Sequence, residues 1–242
     1  SVGGMMKKMS KTTKNNFVTY LMVILIYAAA QTMAVSGSMS SLMQGLLVPL
    51  CAYVILAVSL NLTVGILGEL SLGHAGFMCV GAFSSAFFSK CMVETIPAAG
   101  VRFILAILIG AASAGICGIL IGIPVLRLKG DYLAIVTLAF GEIIKNIVNI
   151  LFVGKDSNWF HFSTKDSLSL GLEDGGKVII NGPQGITGTP KDSTFTIGII
   201  LILISLFIIL NLINSRSGRA IMAIRDNRIA AESIGINITK YK

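Results

Sequence analysis

Six apolar segments, each long enough for one membrane-spanning helix, run through this chain. A helix needs about 20 residues to cross the hydrocarbon core of a bilayer. Inside lipid every backbone polar group must be paired within the structure, which leaves the helix as the solution for segments of this length. We therefore predict an all-α fold, a polytopic bundle of about six transmembrane helices, at residues 17–35, 42–66, 70–88, 101–126, 132–153 and 195–213.

The composition excludes several other classes of protein. Hydrophobic residues make up 54% of the chain and charged residues only 12%, whereas about a quarter of the residues in a soluble domain are charged. The net charge of +8 does not indicate nucleic-acid binding, because basic residues of membrane proteins collect on their cytoplasmic side. The four cysteines form no CxxC pair, so we expect no metal site, and the sequence contains no GxxxxGK[ST] phosphate loop that would hydrolyse ATP.

The distribution of Lys and Arg predicts that both termini are cytoplasmic. In that orientation twelve basic residues fall on the cytoplasmic side and six on the outer side. The first apolar run is long and further spans follow it, so we interpret it as a retained signal-anchor helix rather than a cleaved signal peptide. The predicted organisation is a cytoplasmic tail (1–16), a transmembrane domain (17–213) with an outer loop (154–194), and a cytoplasmic segment (214–242).

The outer loop is polar and contains the sequence NGPQGITGTP at residues 181–190. Its three glycines and two prolines predict turns. One interpretation is an ordinary connector between two spans. Because loops of this length are often functional, a docking site is the other interpretation.

The start of the third segment combines small and polar residues within an apolar region. Glu69, Ser71 and His74 occur there among glycines that include Gly73 and Gly76. Polar groups in a membrane are costly unless they face protein or a water-filled path. Small residues allow backbones to approach closely, or allow a helix to break where it lines a cavity. The pattern predicts an inner wall rather than a lipid-facing anchor.

The fourth segment carries small residues at a strict four-residue spacing. On a helix this spacing makes a smooth groove that accepts a neighbouring helix, so the residues indicate helix packing rather than chemistry. They are Gly110, Ala114, Gly118 and Gly122.

The fifth segment places ionisable residues within a span. Glu142 and Lys145 are three residues apart, share a helix face and are able to pair, and Asn146 and Asn149 extend this polar stripe. One interpretation is a neutralised pair that orients two helices. The other is a lining of a transport path or a proton relay, because intramembrane ionisable residues are functional candidates by default.

The segment after the sixth span predicts a short amphipathic helix. Ser217 is able to cap its start, and we expect it to end near Gly235. One interpretation is an interfacial helix on anionic lipid. The other is a docking helix for a cytoplasmic partner, which is favoured by Asp226 and Glu232 among the Arg residues.

Four blocks of sequence, in order along the chain, resemble the permeases of branched-chain amino acid ABC transporters. They lie within residues 46–237 and read GELSLGHAGFMCVGAF, GIPVLRLKGDYLAIVTLAFGEIIKN, NGPQGITGTP and GRAIMAIRDNRIAAESIGIN. Four such blocks in order are specific, whereas one alone is not. The resemblance implies that the SLGHAGF segment belongs to a translocation path. The residues expected to line that path or meet substrate are Glu69, Ser71, Gly73, His74, Gly76 and Glu142.

The resemblance also implies partners. In this family two different permease subunits form the pore, two cytoplasmic ATPase subunits bind ATP and Mg²⁺, and an extracytoplasmic binding protein delivers substrate. The chain is thus expected to be no enzyme, to bind no cofactor or nucleic acid, and to lie among lipids of the bacterial cytoplasmic (inner) membrane. Urea and other amide importers resemble the same family, so the resemblance implies the mechanism more securely than the substrate.

The tail is similar to the coupling segment of ABC importers, whose pattern is Glu-Ala-Ala, three residues, Gly. Arg228 and Ile229 stand where the acidic residue is expected, which puts the salt bridge to the ATPase in doubt. The expected coupling residues are Arg225, Asp226, Ala230, Ala231 and Gly235. Permeases of this family continue with further spans, so we expect the chain to be a fragment or a truncated product.

Other functions stay open on the sequence alone. A secondary transporter or channel would use Glu142, Lys145, Glu69 and His74 as an ion path. A membrane anchor without a pore explains the hydrophobicity but not the cluster of Glu69 and His74. An intramembrane enzyme is least favoured, since the sequence has no nucleophile–base pair and no metal-ligand spacing.

Overall fold

The computed structural model of the chain is mostly helical. It describes residues 11–93, 95–125, 128, 131–156, 159–171, 176–190 and 192–241. The elements, in chain order, are α1 (Lys11–Val35), α2 (Ser41–Asn61), a π-helical segment (Leu62–Leu67), α3 (His74–Cys91), α4 (Ala99–Val125), α5 (Asp131–Ile150), β1 (Phe152–Lys155), β2 (Phe160–Ser163), a 3₁₀ turn (Leu168–Leu170), β3 (Lys177–Asn181), a second 3₁₀ turn (Gly182–Gln184), α6 (Phe195–Asn214), α7 (Arg216–Asp226), α8 (Arg228–Ser233) and α9 (Ile238–Tyr241).

Five of the described helices are long and apolar enough to cross a membrane. They are Lys14–Val35, Ser41–Leu67, Ala99–Val125, Tyr132–Ile150 and Phe195–Asn214. These confirm the prediction of a polytopic helical bundle. The third predicted span is not among the five, because the 18 residues of α3 include polar residues near both ends, from His74 to Lys90, which lower its mean hydropathy. The cytoplasmic placement of the termini stays a prediction, and the predicted span end at residue 126 lies outside the described residues.

The helices and strands form two compact units, which we call the terminal unit (residues 1–68 and 193–242) and the central unit (residues 69–192). The terminal unit contains α1, α2, the π-helical segment and α6–α9. The central unit contains α3–α5 and the three strands.

The third span was predicted to start at residue 70, but α3 begins at His74. The preceding residues follow an irregular course, and the backbone N–H of Leu72 donates to Thr137 Oγ1 of α5 at 3.0 Å. A side-chain acceptor on another helix thus replaces the carbonyl that a continuing helix would supply. The predicted helical start of this span is therefore wrong by one turn.

The fifth span was predicted to reach residue 153, but α5 ends at Ile150 and the chain enters a sheet. The sheet has the order β2-β1-β3, and both pairings are antiparallel. Val153 of the central strand lies opposite Phe162 on one side and Ile180 on the other. The polar segment predicted as an outer loop therefore contains a small sheet, which the all-α prediction lacked.

A hydrophobic core joins this sheet to α3. Val153, Ile179 and Ile180 are buried together with Cys91 at the end of α3, and Phe83, Phe87, Leu151 and Ile186 pack around them. The ring of Phe87 also lies 5.8 Å from that of Phe160 in β2. Burial of this apolar surface fixes the sheet on the last two turns of α3.

In the terminal unit, α6 packs against α2 and α1. A Cβ added at Gly198 of α6 would lie 2.8 Å from the Cβ of Cys51, so the absence of a side chain there permits the close approach of α2. On α1, the hydroxyl of Tyr27 lies 3.0 Å from Thr196 Oγ1, within hydrogen-bond distance. Small residues and one polar link thus set the spacing of these three helices.

The predicted amphipathic tail helix is divided in two. Ser215, rather than Ser217, caps α7, because its hydroxyl accepts from the N–H of Gly218 at 3.1 Å. Asn227 then leaves the helical conformation and caps α8 through a hydrogen bond from the N–H of Ala230 at 3.0 Å. The predictions of a Ser217 cap and of one continuous helix to Gly235 are therefore wrong.

Candidate functional site

The central unit contains a cavity of about 370 Å³. It lies between α3, α5 and the turn that follows β3. Its lining on the α3 side is Leu72, Ala75, Gly76, Cys79 and Phe83, its lining on α5 is Leu138, Gly141, Glu142, Lys145, Val148 and Asn149, and the turn supplies Gly182, Pro183 and Gly185. A concave, largely apolar site with a few polar groups of this size is typical of small-molecule binding.

Small residues near the start of α3 allow α5 to approach. A Cβ added at Gly73 would lie 2.6 Å from the carbonyl oxygen of Thr137, and one at Gly76 would lie 2.9 Å from Cε1 of Phe140. Both distances are shorter than a side chain tolerates, so only glycine fits at either position. The ring of Phe77 also lies 5.0 Å from that of Phe140. The two glycines therefore act as the contact surface for α5.

Thr137 holds the irregular residues ahead of α3 in place. Its hydroxyl accepts from the N–H of Leu72 and lies 2.9 Å from the carbonyl oxygen of Leu133, to which it donates. The Thr137 side chain is buried, and its oxygen is paired on both sides. We did not identify Thr137 from the sequence, because a single threonine in an apolar helix carries no signal of its long-range partner.

Opposite charges face the cavity from one side of α5. Lys145 Nζ donates to Glu142 Oε2 at 3.3 Å, and these side chains are 64% and 56% exposed, respectively. The pairing that the three-residue spacing made possible is thus present. Asn149 lies one turn further along the same lining. The cavity therefore has a charged but locally neutral wall, which neither a pure anion nor a pure cation would match.

The residues predicted to line a path do not all meet at this cavity. Gly76 and Glu142 are among its described lining residues, and Gly73 packs against Thr137 just outside it. Glu69 and Ser71 lie in the irregular residues ahead of α3, and His74 is the first residue of that helix. All three are partly buried in the central unit.

The turn at Asn181–Gly185 closes the cavity at the sheet end. A Cβ added at Gly182 would lie 2.6 Å from Cζ of Phe152, and its φ of +49° is in the left-handed region that favours glycine. The N–H of Gly182 donates to the carbonyl oxygen of Leu151 at 3.0 Å. The turn is thus seated tightly on the end of α5. The sequence predicted turns here, but not their position beside the cavity.

Lys90 fastens this turn from the end of α3. Its Nζ donates to the carbonyl oxygens of Val178 and Thr187, at 2.8 Å each. These acceptors lie on either side of the turn. Lys90 is beyond the predicted third span, and burial lowers the pKa of its ammonium group, an effect that the neighbouring Cys91 opposes. A lone lysine after an apolar run gave no sign of this role in the sequence.

The glycine groove of α4 receives α3 along part of its length. A Cβ added at Gly110 would lie 2.7 Å from the carbonyl oxygen of Gly81, and one at Gly118 would lie 4.0 Å from Phe77. Ala114 Cβ in turn lies near Gly81. A Cβ at Gly122 would meet no described atom within 4 Å. The close contact therefore lies at the Gly110 end of the series.

The tail residues predicted to couple to an ATPase lie in different environments. Arg225 donates through Nη1 to the carbonyl oxygen of Gly65 at 2.9 Å and through Nη2 to Asp226 Oδ1, also at 2.9 Å. Ala231 is buried with Ile224 and Ile238. Ala230 and Gly235 are exposed, and Gly235 has a φ of +87° that ends the segment.

Two isoleucines of the tail, which were not among the predicted coupling residues, are highly exposed. Ile229 is 81% exposed and Ile234 is 75% exposed, on either side of the buried Ala231. We did not include them among the coupling residues, because in an amphipathic pattern isoleucines are expected to face inward.

Comparison with known proteins gives a consistent family. The family model described as the permease component of the branched-chain amino acid transport system matches residues 41–242. The high-affinity branched-chain amino acid transport system permease protein LivM of Salmonella typhimurium strain LT2 is 34% identical over 238 residues, which cover 92% of this chain and 52% of that protein. LivM of Escherichia coli K12 is 34% identical over 200 residues, which cover 78% of this chain and 45% of that protein.

No solved structure gives a significant match. The chain spans about half the length of the curated relatives that it matches. The family model covers most of the chain. The five described apolar helices of the chain fit a multi-pass protein of the inner membrane. The chain therefore belongs to the family of permease components of branched-chain amino acid transport systems.

Proposed function

We propose that this chain is a permease subunit of an ATP-driven importer for branched-chain amino acids. The observation that carries the proposal is its membership of the permease family across residues 41–242. The cavity supports this proposal, because the SLGHAGF segment at the start of α3, which resembles the family, contributes to one wall of the cavity, and α5 forms another wall. In this proposal the chain supplies part of the translocation path.

The proposed assembly contains a second permease, two cytoplasmic ATPases that bind ATP and Mg²⁺, and an extracytoplasmic binding protein. The sequence has no phosphate loop of its own, so in this proposal ATP is hydrolysed by the partner subunits. The relatives are named as components of a transport system, which supports the need for partners. The exposed Ile229 and Ile234 are the apolar contacts that α8 and its end offer to a cytoplasmic partner.

The tail has a physical means of transmitting movement. Arg225 of α7 donates a hydrogen bond to the carbonyl oxygen of Gly65, which lies within the π-helical segment after α2. Short π-helical segments are frequent at functional sites. A displacement of α7 by a docked partner would thus pull on the end of a membrane-spanning helix, which is what alternating access requires of a coupling segment.

Reconstitution tests the proposal. The full-length permease is co-purified with its partners and placed in proteoliposomes with ATP and Mg²⁺ on the ATPase side, and leucine uptake is measured in the presence of the binding protein. We expect uptake with ATP and none with a non-hydrolysable analogue, in the absence of any ion gradient.

Two results would contradict the proposal. One is leucine uptake driven by a proton or sodium gradient without ATP, which would indicate a secondary transporter. The other is the failure of both an ATPase and a second permease to co-purify with the full-length chain. Uptake of urea or another amide in place of leucine would agree with an ATP-driven importer but would contradict the proposed substrate.

A further inference from the structure

The polar wall of the cavity has unused hydrogen-bonding capacity. The bond between Lys145 and Glu142 uses one ammonium hydrogen and one carboxylate oxygen, whereas an ammonium group has three hydrogens to donate and a carboxylate has two oxygens that accept. Its length of 3.3 Å exceeds the roughly 2.7–2.9 Å of a tight charge-assisted bond. Both charges are therefore accessible from the cavity and only weakly engaged with each other.

The remaining walls are mostly apolar, with Asn149 as one further polar side chain. Leu72 and Phe83 line the α3 side, and Leu138 and Val148 flank the charged pair on α5. The volume of about 370 Å³ lies within the range of small-molecule sites. An occupant that matches these walls has an apolar body and two opposite charges close together.

We propose that this cavity binds one apolar amino acid as its zwitterion, with the ammonium group on Glu142, the carboxylate on Lys145, and the side chain against Leu72, Phe83, Leu138 and Val148. This site would be the substrate site of the proposed importer. The direction of transport rests on that proposed function, whereas the binding of the amino acid does not. Of the residues expected to line the path or meet substrate, this site keeps Glu142. It adds Lys145 and leaves out Ser71, Gly73 and His74.

Electrostatics explains why such a pair suits a transport path. An isolated charge within a membrane protein is costly, so each charge needs a partner at every stage. When the cavity is empty, Glu142 and Lys145 serve as each other's counter-charge, with Nζ and Oε2 3.3 Å apart. When a zwitterion enters, each head group replaces one member of the pair, and no unpaired charge is left. Net-charged solutes would leave one side chain without compensation, which selects against them.

Gly141 provides an independent steric argument. It lines the cavity, and a Cβ added there would meet no described atom within 4 Å. The Cβ of a larger residue at this position therefore has open space around it at the cavity wall. Gly115 of α4 has the same open surroundings but does not line the cavity, so it offers a matched control for the effect of the substitution on a helix.

Direct binding distinguishes the two charges. The full-length permease with its co-purified partners is placed in nanodiscs, and binding of radiolabelled leucine is competed with leucinamide, which lacks the carboxylate, and 4-methylpentanoate, which lacks the ammonium group. We expect Glu142→Gln and Lys145→Gln each to weaken leucine binding about tenfold or more, the loss of one charged hydrogen bond. The control is Lys165→Gln, because Lys165 is an exposed lysine that is not among the lining residues, and this variant should bind leucine like the wild type.

The pattern of competition is the decisive readout. Lys145→Gln should lose the preference for leucine over leucinamide, and Glu142→Gln should lose the preference for leucine over 4-methylpentanoate. Gly141→Val should weaken leucine binding more than alanine binding, whereas Gly115→Val should change neither. Unchanged leucine binding in both charge variants, or an equal loss for all three compounds, would overturn the site.

The outcome separates the site from the proposed function. If binding follows this pattern but ATP drives no uptake, the site stands and the importer proposal fails. If ATP drives leucine uptake and the charge variants transport like the wild type, the importer stands and the site is refuted.

Discussion

Arg225 of α7 reaches the π-helical segment at the end of α2, where its guanidinium donates to the carbonyl oxygen of Gly65 at 2.9 Å. Replacing Arg225 with Met removes this link, and we expect leucine uptake per ATP hydrolysed to fall several-fold. Leucine binding at the cavity should stay unchanged, because the cavity residues belong to the central unit. Uptake and ATP hydrolysis are measured in the same proteoliposomes.

The control for this prediction is Arg216→Met, since Arg216 is an exposed basic residue at the start of the same helix. Equal coupling in the Arg225 and Arg216 variants would contradict a transmitting role for Arg225.

Gly68 ends the π-helical segment in a conformation that other residues resist. Its φ is +75°, and an added Cβ would lie 2.5 Å from Cγ of Arg225. Gly37 has a similar φ of +71° with no atom within 4 Å of an added Cβ. An alanine at either site would have to adopt the left-handed backbone conformation, which costs about 1–2 kcal/mol. We expect Gly68→Ala to lower the thermal unfolding midpoint further than Gly37→Ala; equal midpoints would contradict the packing of Arg225 on Gly68.

The buried ion pair of the central unit should be sensitive to loss of one partner. Arg102 Nη2 donates to Asp192 Oδ2 at 2.7 Å, and the arginine side chain is only 7% exposed. Asp192→Asn leaves a buried cation without its counter-charge, which costs about 3–5 kcal/mol. The free energy of unfolding in mixed micelles should show this loss, and Arg102→Met combined with Asp192→Leu should recover most of it. If the double variant instead lost as much unfolding free energy as the two single variants together, this would contradict the pairing of Arg102 with Asp192.

Lys90→Met should loosen the turn that closes the cavity. The variant loses donors to Val178 and Thr187, whose carbonyl oxygens are left without the ammonium group. We expect faster amide hydrogen exchange across residues 177–187 and weaker leucine binding, measured in nanodiscs. Lys165→Met is the matched control. Unchanged exchange at Lys90→Met would show that the turn is held by its own backbone bonds.

The two ends of the glycine series on α4 should respond differently to the same substitution. A Cβ added at Gly110 would lie 2.7 Å from the carbonyl oxygen of Gly81, whereas a Cβ added at Gly122 would meet no described atom within 4 Å. Overpacking of this kind costs about 1–3 kcal/mol. The free energy of unfolding should therefore fall for Gly110→Val and change little for Gly122→Val; the reverse order would contradict the packing of α3 on α4.

The length and hydrophobicity of the apolar segments were sufficient to predict the helical class, because crossing a bilayer imposes both on the sequence. Boundaries that depend on distant partners were not predictable. The start of α3 depends on Thr137, which binds the N–H of Leu72 from 65 residues away. The end of α5 depends on β-pairing of Phe152 with Ser163 and Asn181.

The site shows the same division between local and distant information. The three-residue spacing of Glu142 and Lys145 predicted a pair, and the structure has one. Nothing local showed that Pro183 and its neighbouring glycines would lie beside that pair, since their position follows from the sheet and from Lys90. In the tail, Asn227 was a polar residue within an amphipathic pattern, and its role as a cap depends on the local turn rather than on periodicity.

The most direct test of a substrate path through this chain is the ratio of leucine uptake to alanine uptake, driven by ATP in the reconstituted full-length transporter. Gly141→Val adds a side chain at the cavity wall, where the added Cβ meets no described atom within 4 Å, and Gly115→Val makes the same change at a residue that does not line the cavity. We predict that the ratio falls for Gly141→Val and equals the wild-type ratio for Gly115→Val. An unchanged ratio in Gly141→Val, with leucine and alanine still transported, would contradict the account.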